Sequence, residues 1–378
     1  MAVLTEEQSI LRDQARAWCQ KRAPVSAYRA IRDAADPCGY DPALFAEMVE
    51  MGWTGVIAPE SCGGSDFGYL SLGFILEETG RTLVASPLVA SALGAGSALI
   101  LGGSDEQRQR YLEPIVAGEL IGALAVDEGA QHAPEQVALR AEPEGSAYRL
   151  NGTKSFVLEG NAAGLMVVSA RTSGAPGEPH GITLFLVPGD AAGLTRTPLH
   201  LADGRGAADV VFADVLVGSD QVLGEVNEGA ELLARVLDRV RAGLAAEMLG
   251  STEAAFAMTL DYLKTRVQFG QLIGAFQALQ HRAARMFGEL ELARSCVEAA
   301  LAAIDTDSVD VPRLVALAKA FMGETMFLVS NELIQMHGGI GMTDAHDAGL
   351  YLKRARVCEA AFGNRAFHRE RYARLNGY

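Results

Sequence analysis

The 378-residue chain is poor in positive charge, with 32 lysines and arginines against 47 aspartates and glutamates and a net charge of −15. A nucleic acid or an anionic membrane surface would be repelled by that field, so neither is an expected partner. Cysteine is scarce as well. Cys19, Cys38, Cys62, Cys296 and Cys358 are odd in number, widely spaced and include no C-x-x-C pair, which points to reduced thiols and away from a zinc site. The seven histidines show no metal-ligand spacing. No uninterrupted apolar run reaches the roughly 18 residues of a bilayer span. The start "MAVLTEEQSILRDQARAWCQ" reads as an acidic amphipathic helix rather than a secretory signal, so the expected compartment is the cytoplasm. Common catalytic signatures are missing too. No G-x-G-x-x-G opens a helix after a strand, "GTKS" at 152–155 lacks P-loop spacing, no G-x-S-x-G occurs, and Cys62 in "ESCGGSD" has no nearby histidine.

What is present is a change of texture along the chain. Residues 1–120 carry apolar positions at i, i+3, i+4 spacing in "EEQSILRDQARAWCQKRA", "YDPALFAEMVEMGW", "GYLSLGFILEETGRTL", "ASALGAGSALILGG" and "SDEQRQRYLEPIVAGE". Gly63-Gly64 and Ser86-Pro87 punctuate these helices, and Ser104 with Gln107 resembles a capping box. Between 121 and 226 short β-rich runs alternate with turn residues, predicting an antiparallel sheet domain. Asn151-Gly152, between "AYRL" and "TKSFVL", predicts a hairpin turn; the formal sequon Asn151-Gly152-Thr153 is set aside in the absence of a secretory signal. From 227 to 378 the helical period returns over about 228–265, 274–304, 311–337 and 345–375, which predicts an antiparallel four-helix bundle. The fold class is therefore α+β: an N-terminal helical domain, a middle antiparallel β domain and a C-terminal helical bundle.

Two polar, glycine-bearing stretches interrupt the bundle helices, "RVQFGQLIGAFQ" at 266–277 and "QMHGGIG" at 335–341. Glycines there let backbone N–H groups approach an anion or a flat ligand. In that order, with "APESCGGSDFG" (58–68), "YRLNGTKSFV" and "DYLKTRVQFG", they resemble the acyl-CoA dehydrogenase family over essentially the whole chain. The resemblance implies FAD as cofactor, an acyl-CoA substrate, and assembly as a dimer or tetramer with itself or with a homologous catalytic subunit; an electron-transfer flavoprotein is a candidate electron acceptor. It also implies that Arg266, Gln268, Phe269, Gln277, Gln335, Gly338 and Gly339 hold the diphosphate and adenosine end of a neighbouring subunit's FAD. Guanidinium, amide and glycine suit that work.

The resemblance fails where the reaction would be run. The position of the family's usual catalytic glutamate is Phe362 in "CEAAFGNR", and the alternative position on the first bundle helix, next to Arg241, is Val240. Neither can accept a proton. Glu247, two helical turns beyond Val240 and on nearly the same face, is a candidate relocated base; Asp238 and Glu359 are lesser ones. A glutamate paired with an arginine such as Arg241 is the competing structural reading for Glu247, as a helix-face ion pair is for Arg241 itself, and a packing role for His337. Over the flavin ring, the family's aromatic-then-hydroxyl pattern reads Phe156 and Leu158, its T-E-P-G-A-G-S-D loop reads "DEGAQHAP", with Asp127 and Ala133 in place of hydroxyls, and its Gly-Thr-x-Gln reads Gly363-Asn364-Arg365-Ala366. The groups to be lent to a neighbour are intact while those for the chain's own flavin are largely gone. The expected function is thus a partner subunit in α,β-dehydrogenation of an acyl-CoA to the 2-enoyl-CoA, completing another subunit's FAD site. The alternative is a homo-oligomeric acyl-CoA-binding flavoenzyme with a relocated base or a different flavin reaction such as oxygenation.

Overall fold

The computed structural model describes residues 4–378. The chain divides into two compact units. One joins the residues up to Ala30 with Tyr69–Val84 and Arg241–Tyr378, and the other joins Ile31–Gly68 with Ala85–Val240.

The N-terminal helices are α1 (Glu6–Arg22), α2 (Val25–Ala34), α3 (Pro42–Glu50), α4 (Tyr69–Arg81), α5 (Gly96–Gly102), α6 (Asp105–Gln107) and α7 (Glu113–Val116). Local chemistry sets their starts. Thr5 and Gln8 form a capping box on α1, Asp41 accepts from Ala43 and Leu44 N–H ahead of Pro42, and Ser104 with Gln107 forms the expected box. The helix α4 starts on a partner distant in sequence, because the Asp305 carboxylate accepts from Tyr69 and Leu70 N–H at 2.6 and 3.0 Å. The short helix α2 lies outside the runs recognised from periodicity.

The second unit is built on an eight-stranded sheet of β1 (Gly122–Ala125), β2 (Arg140–Glu144), β3 (Ala147–Leu158), β4 (Leu165–Arg171), β5 (Ile182–Pro188), β6 (Leu194–Pro198), β7 (Ala207–Gly218) and β8 (Val222–Leu223). Its order is β6-β7-β3-β2-β4-β5-β8, with β1 beside β4. Pairing is antiparallel except for β1–β4 and β2–β4, which run parallel. Leu150, Val168, Phe185, Val210, Phe212 and Val217 belong to its core. The expected hairpin turn at Asn151-Gly152 is not there. Both residues sit inside β3, at an irregularity in its register with β7, and the Asn151 amide exchanges hydrogen bonds with the Asp214 backbone N–H and carboxylate. Asn-Gly here marks a bulge rather than a turn, because strand partners on both sides fix the extended path. The β2–β3 turn is Gly145-Ser146, with Gly145 at φ +62°.

The C-terminal helices are α8 (Gly229–Thr265), α9 (Gln277–Asp305), α10 (Val311–His337), α11 (Ala348–Ala360) and α12 (Arg365–Leu375). The fourth helix expected over 345–375 is thus two helices. Phe362 and Gly363, at φ +54° and +103°, break it, and the Asn364 side chain caps the restart by accepting from Phe367 N–H. By length and composition α10 could cross a bilayer, but it is the core helix of the first unit, with Val315, Met322, Val329 and Leu333 fully buried. It packs on α9, α11 and α12.

Candidate functional site

The two stretches singled out in the sequence lie at the C-terminal ends of α8 and α10. Arg266 follows the last turn of α8, and a two-stranded hairpin pairs β9 (Val267–Gln268) with β10 (Gln271–Leu272). Phe269 and Gly270, at φ +53° and +80°, make its turn. Phe269 is 89% exposed and meets Phe276 edge-on at 6.1 Å. Gln277 is the first residue of α9. The second stretch is brought alongside by an aromatic stack. Tyr262, one turn before Arg266, lies 4.3 Å from His337, which immediately precedes Gly338, and His337 lies 4.5 Å from His346. His337 Nδ1 is 2.7 Å from the Leu333 carbonyl, and burial lowers its pKa, so a neutral ring packs there.

The polar groups of this clamp are exposed. Among the described residues, the side chains of Arg266, Gln268, Gln277 and Gln335 make no hydrogen bond within the chain, and a Cβ at Gly338 or Gly339 would meet nothing within 4 Å. A cation, three amides and two open glycine backbones, all outward-facing, fit the diphosphate and ribose end of a dinucleotide.

The sheet unit presents the opposite condition. The Asp127 carboxylate, just after β1, holds His132 Nδ1 at 2.8 Å and accepts from Ala133 N–H at 3.2 Å. Glu128 accepts from Ala138 and Leu139 N–H and from the Lys154 ammonium, the last at 2.7 Å. Lys154 is fully buried, donates also to the Val126 carbonyl and Ser169 Oγ, and has its pKa lowered by burial against the pull of Glu128. Arg171 Nε donates to the Val137 carbonyl at 2.9 Å. Phe156, at φ +53°, and Leu158 are half-buried on β3, with Phe156 N–H donating to Asp209. These groups do not fit a flavin ring: the Ala133, Ala138 and Leu139 N–H groups are spent on the loop's own carboxylates, and the Leu158 side chain has no donor to give.

Neither position for a base offers one. Val240 is fully buried. Phe362 is buried too, and its carbonyl accepts from Arg241 Nε at 3.0 Å with His368 Nε2 at 3.1 Å. The same turn is gripped by the buried Lys319, which donates to the carbonyls of Cys358 and Gly363 at 2.9 and 3.1 Å. Burial, then Arg241 and Lys319, hold His368 far below its ordinary range, so it is neutral. Glu247 pairs with Arg354 on α11: its Oε1 accepts from Nη2 and Nε at 2.8 and 3.1 Å, with the two side chains 4% and 8% exposed. Glu359 faces Arg365 at 3.5 Å, and Asp238 is buried with a partner. Sequence reading passed over His132, Glu128, Lys154, Lys319 and Arg354. Lys319 carried a signal, since it sits in "VALAKAFMG" on the same helical face as Val315 and Met322.

Comparison with known proteins agrees with this layout. Profiles of the acyl-CoA dehydrogenase N-terminal, middle and C-terminal domains match residues 5–119, 127–215 and 227–375. The probable acyl-CoA dehydrogenase YngJ of Bacillus subtilis is 31% identical over 376 residues, 97% of each chain. The butyryl-CoA dehydrogenase structure from Megasphaera elsdenii superposes with a TM-score of 0.91 at 26% identity, covering 100% of this chain and 99% of that one. A structure described as the Tcur3481-Tcur3483 steroid ACAD gives 0.88 at 30% identity, with 98% of each chain covered. With the helical N-terminal region, mostly antiparallel central sheet and C-terminal bundle in the same order, the chain belongs to the acyl-CoA dehydrogenase family of FAD-dependent oxidoreductases.

Proposed function

We propose that this chain is a complementing subunit: Arg266, Gln268, Phe269, Gln277, Gln335, Gly338 and Gly339 grip an FAD seated mainly on a homologous catalytic partner, and the assembly oxidises an acyl-CoA thioester to the 2-enoyl-CoA. The observation that carries the reading is the contrast between the two polar sets. Among the described residues, the polar side chains of the clamp, Arg266, Gln268, Gln277 and Gln335, make no hydrogen bond, while the sheet-loop groups are held by one another.

FAD supplies the acceptor for the substrate's β-hydride. This chain contributes a guanidinium and amide donors to the cofactor's polar end, where charge-assisted hydrogen bonds are the strong ones. The α-proton of a thioester is weakly acidic and needs a positioned base. Val240 and Phe362 cannot serve, so the partner provides it. The Glu247–Arg354 pair supports the same reading, because that carboxylate is engaged by a buried guanidinium inside the bundle. The two-part name of the steroid ACAD matches such an arrangement. On this reading the division at 1–120, 121–226 and 227–378 follows the family's three domains, the complex works in the cytoplasm, and an electron-transfer flavoprotein is the acceptor we assign.

The test is a flavin count. The chain purified alone should carry much less than one FAD per chain, and the co-expressed complex about one FAD per pair of subunits. Full occupancy of the isolated chain, with bleaching of the flavin by an acyl-CoA, would overturn the proposal.

A further inference from the structure

We infer that the loop between β1 and β2 is a self-closed seat, in which the Asp127–His132 pair takes up the hydrogen-bonding positions that a flavin's pyrimidine edge would use, leaving the chain able to serve only a neighbour's cofactor. The inference rests on the complementing-subunit reading and gives its cause in named residues.

The closure is built on three anchors. Asp127 Oδ2 lies 2.8 Å from His132 Nδ1, its Oδ1 takes the Ala133 N–H at 3.2 Å, and its backbone carbonyl takes the Ser155 N–H at 2.7 Å. Glu128 takes the N–H groups of Ala138 and Leu139, at 2.8 and 3.1 Å, and is held by Lys154 from the core side. Arg171 fixes the far end through the Glu135 and Val137 carbonyls. The side chains of His132 and Asp127 are 4% and 14% exposed, so the pair lies within the fold rather than on a solvated tip.

A pyrimidine edge presents two carbonyl acceptors flanking an N–H donor, and a seat for it must offer backbone or hydroxyl donors. Here four backbone donors of the loop and strand, on Ala133, Ala138, Leu139 and Ser155, are directed inward to acceptors of the chain. What the loop has at its head is a carboxylate, a charge that opposes an electron-rich ring and most strongly its anionic reduced form. A threonine at 127 would replace that charge with a hydroxyl that both donates and accepts, and a glycine at 132 would remove the side chain that fills the space beside it.

The experiment compares wild type, Asp127→Asn and the double substitution Asp127→Thr/His132→Gly as isolated full-length chains. Each is saturated with FAD and freed of excess, and retained flavin is read by visible absorbance and by calorimetric titration. Wild type should retain a small fraction of one FAD. The double variant should retain at least threefold more, and Asp127→Asn, which keeps an acceptor for Ala133 N–H and loses the charge, should lie between them. Circular dichroism melts establish folding, and if the double variant does not fold, the Asp127→Asn comparison decides. Folded variants that retain no more FAD than wild type would overturn the closure while leaving the complementing-subunit reading standing. A wild-type chain already saturated with FAD would overturn that reading and the closure together.

Discussion

Replacing Glu247 with glutamine separates a structural carboxylate from a catalytic one. Glu247 and Arg354 are nearly buried, joined by two hydrogen bonds of 2.8 and 3.1 Å, and sit where α4 and α8 approach so closely that a Cβ on Gly80 would lie 2.1 Å from the Glu247 carbonyl oxygen. Backbones this close leave little room for relaxation around a lost charge. Glu247→Gln preserves shape but strands the Arg354 guanidinium, and breaking a buried pair from one side costs about 3–5 kcal/mol. Arg354→Met should cost a similar amount. The double variant Glu247→Gln/Arg354→Met closes the cycle without a stranded charge and should cost much less than the sum of the two single losses, which the double-mutant cycle reads as a coupling. Urea denaturation followed by circular dichroism measures all four corners. A Glu247→Gln chain as stable as wild type, together with a complex that has lost turnover, would refute the argument and make Glu247 the relocated base.

Two further predictions concern the buried Lys319 and the exposed cap residue Asp305. Lys319 is held by burial at a pKa of about 8, below the 10.5 of a free lysine, so between those values the unfolded chain keeps a proton that the folded chain has shed. Stability from this group therefore rises as pH climbs from 8 to 10.5, by on the order of 3 kcal/mol, and is lost as pH falls back through 8. Denaturation midpoints across that window should climb more steeply in wild type than in Lys319→Met, and parallel curves would count against the assignment. Asp305→Ala removes the cap on Tyr69 and Leu70 N–H and should lower stability by about 1 kcal/mol. Asp305→Asn, which keeps an acceptor, should lose less, and equal losses in the two variants would show that the cap is not the cause.

Much of this protein was legible in its sequence because the signals are local. A helical period in "SILRDQARAWCQ" or a capping box at Ser104 needs no partner further away than one turn, and the α+β order of helices, sheet and helices followed from such patterns. The clamp we propose could be picked out for the same reason: Arg266, Gln268, Phe269 and Gln277 lie within one stretch, 266–277, and "QMHGGIG" is a single segment. Where local and long-range preferences compete, the sequence misled. Asn151-Gly152 has the chemistry of a turn, but pairing with β2 on one side and β7 on the other holds it in a strand. The helix expected over 345–375 is broken by positive φ at Phe362 and Gly363, where Lys319, Arg241 and His368 converge on the turn.

The sequence by itself determined what this chain lacks, since a missing carboxylate at Val240 and Phe362 is a statement about composition at a position. Only the tertiary structure decided what its remaining charges do. That Glu247 meets Arg354, that Asp127 folds back on His132, and that Lys154 reaches Glu128 across the sheet unit are contacts between segments remote in sequence or turned by a loop. Their strength comes from burial, which no residue type announces by itself: the same glutamate or aspartate on a solvated face would be a weak surface charge.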